Sequence, residues 1–63
     1  MSINFTEINT GNTIVLNKHD IQVAYNIPDE FNILELTTGV YIDVSDSWAY
    51  IVHALAGGPP ITP

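Results

Sequence analysis

Apolar residues recur at every second position through most of this chain, and only toward its C-terminal end does the interval lengthen to three and four. Side chains alternate between two faces along a strand and return every 3.6 residues on a helix, so the change of interval marks a change of element. The pattern therefore predicts a run of short strands followed by one helix.

Ile3 and Phe5 alternate with polar neighbours in SINFTEI, a first strand that ends at Thr10-Gly11-Asn12. Gly11 suits the hairpin or bulge turn needed there. Thr13 to Asn17, rich in β-branched residues, reads as the second strand. Asn17-Lys18-His19-Asp20 interrupts it with turn-forming side chains, as a tight corner or a single helical turn. Ile21, Val23, Tyr25 and Ile27 then alternate with Gln22, Ala24 and Asn26, the most regular period-two stretch of the chain. Pro28-Asp29-Glu30 makes the next turn, and Phe31 to Leu36 returns as a strand with Phe31 and Ile33 on one face and Leu34 and Leu36 on the other. After Thr37-Thr38-Gly39, residues Val40, Ile42 and Val44 give a last strand one wholly apolar face.

Trp48, Ile51, Val52 and Leu55 fall at i, i+3, i+4 and i+7, which places them on one stripe of a helix that needs a sheet beneath it. Ser45 is positioned to cap that helix, and Asp46 suits the positive end of its dipole. Gly57-Gly58 supplies the left-handed conformation that ends a helix, and Pro59-Pro60 forbids its resumption. Short connections favour antiparallel neighbours. The predicted fold is mainly β: a small bent antiparallel sheet or partial barrel of about five short strands with one C-terminal α-helix. Residues 1–56 form a single domain, and residues 57–63, GGPPITP, form a Gly/Pro-rich tail.

Sixty-three residues make one small core, and a chain of that size buries only about 60% of the surface it exposes when unfolded. With no Cys and two His, neither disulfides nor a metal is an evident staple, which leaves self-association or docking on a larger assembly. Charged residues are 13% of the chain against a usual share of about 25%. Formal net charge is −6, with Lys18 the only Lys or Arg, so neither a nucleic-acid backbone nor an anionic membrane is an expected partner. The N-terminal MSINFTEIN lacks the basic region and apolar core of a signal peptide, and no apolar run approaches a membrane span. Cytoplasmic synthesis is the expectation.

Nothing in the chain spells out a reaction. Asp46 and His53, with Ser45 and Ser47 nearby, lie two helical turns apart, too far for a base and its orienting carboxylate to hydrogen-bond. Helix capping and a solvated helix face account for them. Asp43, Ser45 and Ser47 alternate like the start of a calcium loop, but Trp48 and Ala54 stand where its Gly and bidentate Glu belong. His19 beside Asp20, with His53 distant, has no metal-ligand spacing. Glu35 and Asp43 are placed to oppose each other on neighbouring strands, a pairing that exposed positions explain as well as acid–base chemistry does. No enzyme activity, cofactor or metal is expected.

The residues left after the core is filled carry more information. Tyr25, Phe31, Ile33, Tyr41 and Tyr50 cannot all share the helix-covered face with Val40, Ile42, Val44 and Leu34. Either a closed barrel buries them, or they form an aromatic interface on a poorly charged surface. Pro59, Pro60 and Ile61 of the tail are candidate anchors in a neighbour's groove.

The order Gly11, Leu16-Asn17, Ile21, Pro28-Asp29, Leu34, Gly39, Tyr41 and Val44, leading into a helix, resembles the small flagellar FlbD-type proteins. The short bent strands also resemble the Sm-like and SH3-like barrels of ring-forming proteins, including small phage proteins. The resemblance implies a small barrel that assembles through its edges, and it carries over no functional residue. The function expected is a non-enzymatic structural or assembly protein, a minor component of a phage particle that packs on copies of itself or on a larger host. The alternative is a small acidic adaptor or inhibitor of a protein partner. A homo-oligomer or a docked subunit is expected, in the virion if the chain is viral and in the cytoplasm otherwise.

Overall fold

The computed structural model describes residues 2–57. Strands β1 (Ser2–Thr6) and β2 (Thr13–Asn17) form an antiparallel hairpin, and β3 (Ile21–Asn26), β4 (Asn32–Leu36) and β5 (Tyr41–Val44) form a three-stranded antiparallel meander. A single 3-10 turn, η1 (Lys18–Asp20), separates the two sheets, and helix α1 (Trp48–Leu55) follows β5. The mainly β fold with a C-terminal helix stands as the alternation predicts.

The sheets are stitched together at the end of β1. Glu7 makes an isolated antiparallel bridge with Val44. The Ser45 amide donates to the Thr6 carbonyl at 2.9 Å, and the Ile8 amide donates to the Asp43 carbonyl at 3.0 Å. The hairpin thereby lies beside β5, while among the described residues β2 and β3 are each hydrogen-bonded to one neighbouring strand. The bent arrangement turns Phe5, Leu34 and Val44 toward Ile51 of the helix, and these four are the fully buried apolar residues. Ile3, Leu16, Ile21, Ala24, Ile42, Tyr50 and Leu55 pack around them.

Register decides which side chains reach this core. Ile21 opposes Leu36 and Val23 opposes Glu35, so two steps along β3 match one step along β4, and a bulge lies between. A bulge reverses the alternation that follows it. Ile21 and Ala24 consequently face the core, whereas Val23 and Tyr25 face outward. The shared face expected for Ile21, Val23, Tyr25 and Ile27 is therefore split. The turn after β3 places Asp29 at a left-handed φ of 66°, with the Glu30 amide donating to the Ile27 carbonyl at 3.2 Å. Gly39 takes φ 91° in the β4–β5 turn, a conformation that costs glycine little.

The helix begins two residues later than Ser45 predicts. Ser47 is the N-cap, its hydroxyl accepting from the Tyr50 amide at 3.1 Å. Ser45 instead pairs with β1 through its backbone. Asp46 is not in the first turn: it is buried, and its Oδ1 accepts from the Thr6 amide at 2.7 Å. Gly57, at φ 80°, lies just past the helix end as expected.

The predicted stripe is also rotated. Trp48 and Val52 are 37% and 47% exposed, while Tyr50, Ile51, Ala54 and Leu55 turn inward, a shift of roughly 80° at about 100° per residue. Tyr50 sets that rotation. Its ring meets Phe5 edge-on with centroids 6.2 Å apart, and its hydroxyl donates to the Asn4 carbonyl at 2.8 Å. Val40, expected beside Ile42 and Val44, precedes β5 in the turn and is exposed.

Candidate functional site

The outward face of the β3–β4–β5 sheet collects Val23 and Tyr25 from β3, Ile33 and Glu35 from β4, and Tyr41 and Asp43 from β5. Cross-strand register puts Val23, Glu35 and Tyr41 in one row and Tyr25, Ile33 and Asp43 in the next. Directly opposed side chains of one face are neighbours, so the six form a single patch. Glu35 and Asp43 share it, but each stands opposite an apolar or aromatic residue rather than opposite the other.

Tyr25 and Tyr41 belong to strands that flank β4, yet their rings meet above it, nearly parallel at 12° with centroids 6.5 Å apart. Offset-stacked rings at this separation attract each other modestly. The Tyr25 hydroxyl donates to Glu35 Oε1 at 2.7 Å, which fixes the lean of the ring. That carboxylate, accepting the phenolic hydrogen bond, raises the Tyr25 pKa above the ordinary 10.0, with desolvation adding in the same direction. Ile33, opposite Tyr25 in the register, is half-buried, while Tyr25 and Tyr41 themselves remain 41% and 60% exposed. Asp43 gives its backbone carbonyl to Ile8, and its carboxylate accepts no hydrogen bond among the described residues.

Of the aromatic and apolar residues singled out from the sequence, Tyr25, Ile33 and Tyr41 come together here. Phe31 immediately precedes β4 and lines a separate open groove of about 220 Å³ with Trp48, Asp29 and Glu30. Tyr50 stands apart, committed to Phe5 and Asn4 on the helix side. Pro59, Pro60 and Ile61 lie outside the described residues. The alternation in the sequence puts Val23 on the face of Tyr25, where it stands, and the bulge takes Ile21 away from that face.

Three of the polar candidates have structural roles. Asp46 serves the Thr6 amide, Ser47 caps α1, and Asp20 accepts from the Asn17 amide at 2.9 Å. Among the described residues no group of three His, Cys, Asp or Glu is gathered to hold a metal ion, and no helix is long and apolar enough to cross a membrane. What the patch offers is contact: two exposed phenol rings, two aliphatic side chains and two carboxylates on one rigid sheet. Comparison with protein-family models, with characterised proteins and with solved structures finds no match to this chain.

Proposed function

We propose that this chain is a non-enzymatic assembly module that seats the Tyr25–Tyr41 face of its meander against protein. The carrying observation is the exposure of that stacked pair beside Val23 on a sheet whose core is already filled by Phe5, Leu34, Val44 and Ile51. Surface tyrosines that fold does not require, clustered with aliphatic side chains, are typical of protein interfaces. A chain this short, with β2 and β3 as open edges, suits a minor component of a larger particle such as a phage particle.

The alternative, an acidic adaptor that occupies a basic surface of another protein, is favoured by Glu35 and Asp43 lying within the same face. Both readings make the face an interface. The test is the native mass of the chain, isolated without denaturant, for the natural sequence and for Tyr41→Ser. An assembly well above the 6.9 kDa of one chain, released to monomer by Tyr41→Ser with unchanged thermal stability, is the expected result. A native monomer whose Tyr25–Tyr41 face also takes up no partner segment would refute the proposal.

A further inference from the structure

Any protein that covers Tyr25 and Tyr41 also covers the carboxylates between and beside them. Glu35 and Asp43 are half-buried already: Glu35 stands opposite Tyr41 and accepts from the Tyr25 hydroxyl, and Asp43 stands opposite Ile33, two residues along β5 from Tyr41. An apolar partner would strip the remaining water from two negative charges and return nothing, which is unfavourable by several kcal/mol when the charges stay unpaired. The occupant must therefore bring cationic donors. None comes from the face itself, since the only Lys or Arg of the chain, Lys18, lies in η1.

A second copy is a poor source. Each copy carries net charge −6 and the same two carboxylates, so joining two such faces brings like charges together. Between the two cationic side chains, arginine fits the chemistry better than lysine. Its planar guanidinium stacks on a phenol ring and still offers a fork of N–H donors to a carboxylate in the ring plane. Tyr25 is held by Glu35 with its ring partly open, Tyr41 is the more open ring, and the Asp43 carboxylate accepts no hydrogen bond among the described residues.

We infer that the Tyr25–Tyr41 face recognises an arginine-bearing segment of a partner protein, the guanidinium lying against the tyrosine rings with Glu35 and Asp43 as its counter-charges. This rests on the docking role proposed above and specifies the partner's chemistry.

The test is a titration of the full, isotope-labelled chain, followed by amide NMR, with a short arginine–glycine peptide and its lysine–glycine and citrulline–glycine counterparts. Citrulline keeps a planar head but carries no charge. The arginine peptide is expected to shift the amides of Tyr25, Ile33, Tyr41 and Asp43, to bind about two- to fivefold more tightly than the lysine peptide, and to weaken as salt rises. Asp43→Asn and Tyr41→Ser should each weaken arginine binding about two- to fivefold while melting like the natural chain.

Equal binding of arginine and citrulline, shifts confined to the groove beside Trp48, or no binding would overturn the inference. So would a dimer, formed without peptide and dissolved by Tyr41→Ser. A chain that ignores arginine yet stays in a large native assembly sensitive to Tyr41→Ser would overturn the arginine assignment alone, whereas a native monomer that also binds no arginine peptide would remove the docking role.

Discussion

Asn32 Nδ2 donates to the backbone carbonyl of Asp46 at 2.9 Å, joining the middle strand of the meander to the residue that introduces the helix. Asp46 in turn accepts the Thr6 amide on Oδ1 at 2.7 Å, and Asn26 Nδ2 donates to Asn32 Oδ1 at 2.8 Å. Asn32 and Asp46 are 5% and 6% exposed, the two buried polar residues of the described chain, and both are satisfied. This line of hydrogen bonds links β1, β3, β4 and the entry to α1.

Removing Asp46 should therefore cost more than an exposed carboxylate would. Asp46→Ala leaves the Thr6 amide unpaired in a dry site and is expected to destabilise by about 1–3 kcal/mol. Asp46→Asn keeps an acceptor and should lose less. Chemical denaturation of the two variants checks the order, and equal losses would show that the carboxylate charge, not the hydrogen bond, matters there.

The same contact selects the helix cap. By residue type Ser45 and Ser47 are equally good caps, but the Thr6–Asp46 bond and the Ser45 amide–Thr6 carbonyl bond hold the chain extended through Asp46. Ser47→Ala should cost about 0.5–2 kcal/mol, as loss of an N-cap does. Ser45→Ala should stay within about 0.5 kcal/mol, since its hydroxyl reaches only the Thr6 carbonyl, at 3.5 Å. Thermal melts of the pair distinguish the two capping positions directly.

These cases mark the boundary of what local sequence can convey. Strand β2 is legible from Thr13 to Asn17 because Gly11 and the Asn17–Asp20 run punctuate it, and a turn conformation depends on the residues in the turn. The choice between Ser45 and Ser47 is set by a residue forty positions away, and no local window contains it. The bulge between Ile21 and Val23 adds one residue to β3 without Gly or Pro to announce it, so the most regular alternation in the chain groups Ile21 with Val23 and Tyr25 although it faces the core. Of the site, Tyr25, Ile33 and Tyr41 are legible as a surplus over the core. That they share one face, and that Tyr50 does not, is decided by register and by the Tyr50–Asn4 bond.

Tyr25 provides a titration that reports on the face. Its neutral form is favoured in the folded chain by the Glu35 carboxylate, so its pKa lies above the ordinary 10.0. A group with a raised folded pKa contributes stability that is fully present below its unfolded pKa and is lost as pH rises through the folded one. The contribution therefore holds at neutral pH and disappears only in alkali above pH 10.0. Glu35→Gln removes the charge and should return the phenol toward its ordinary value, seen as an earlier rise of tyrosinate absorbance. An unchanged titration would mean that the hydrogen bond does not persist in solution.

Stability and assembly should separate cleanly between the two faces of the meander. Leu34 is fully buried, and truncating such a side chain costs about 2–5 kcal/mol. At about 0.05–0.15 kcal/mol per residue the whole chain holds only about 3–9 kcal/mol, so Leu34→Ala should remove a large share of it and lower the urea midpoint markedly. Tyr41, on the opposite face of the same sheet, is 60% exposed, and Tyr41→Ser should change the unfolding free energy by no more than about 0.5 kcal/mol. Urea unfolding of the isolated monomer measures both. A large loss on Tyr41→Ser would make the tyrosine pair part of the core and remove the argument that its exposure serves an interface, whereas a null effect leaves assembly as the property that the pair controls.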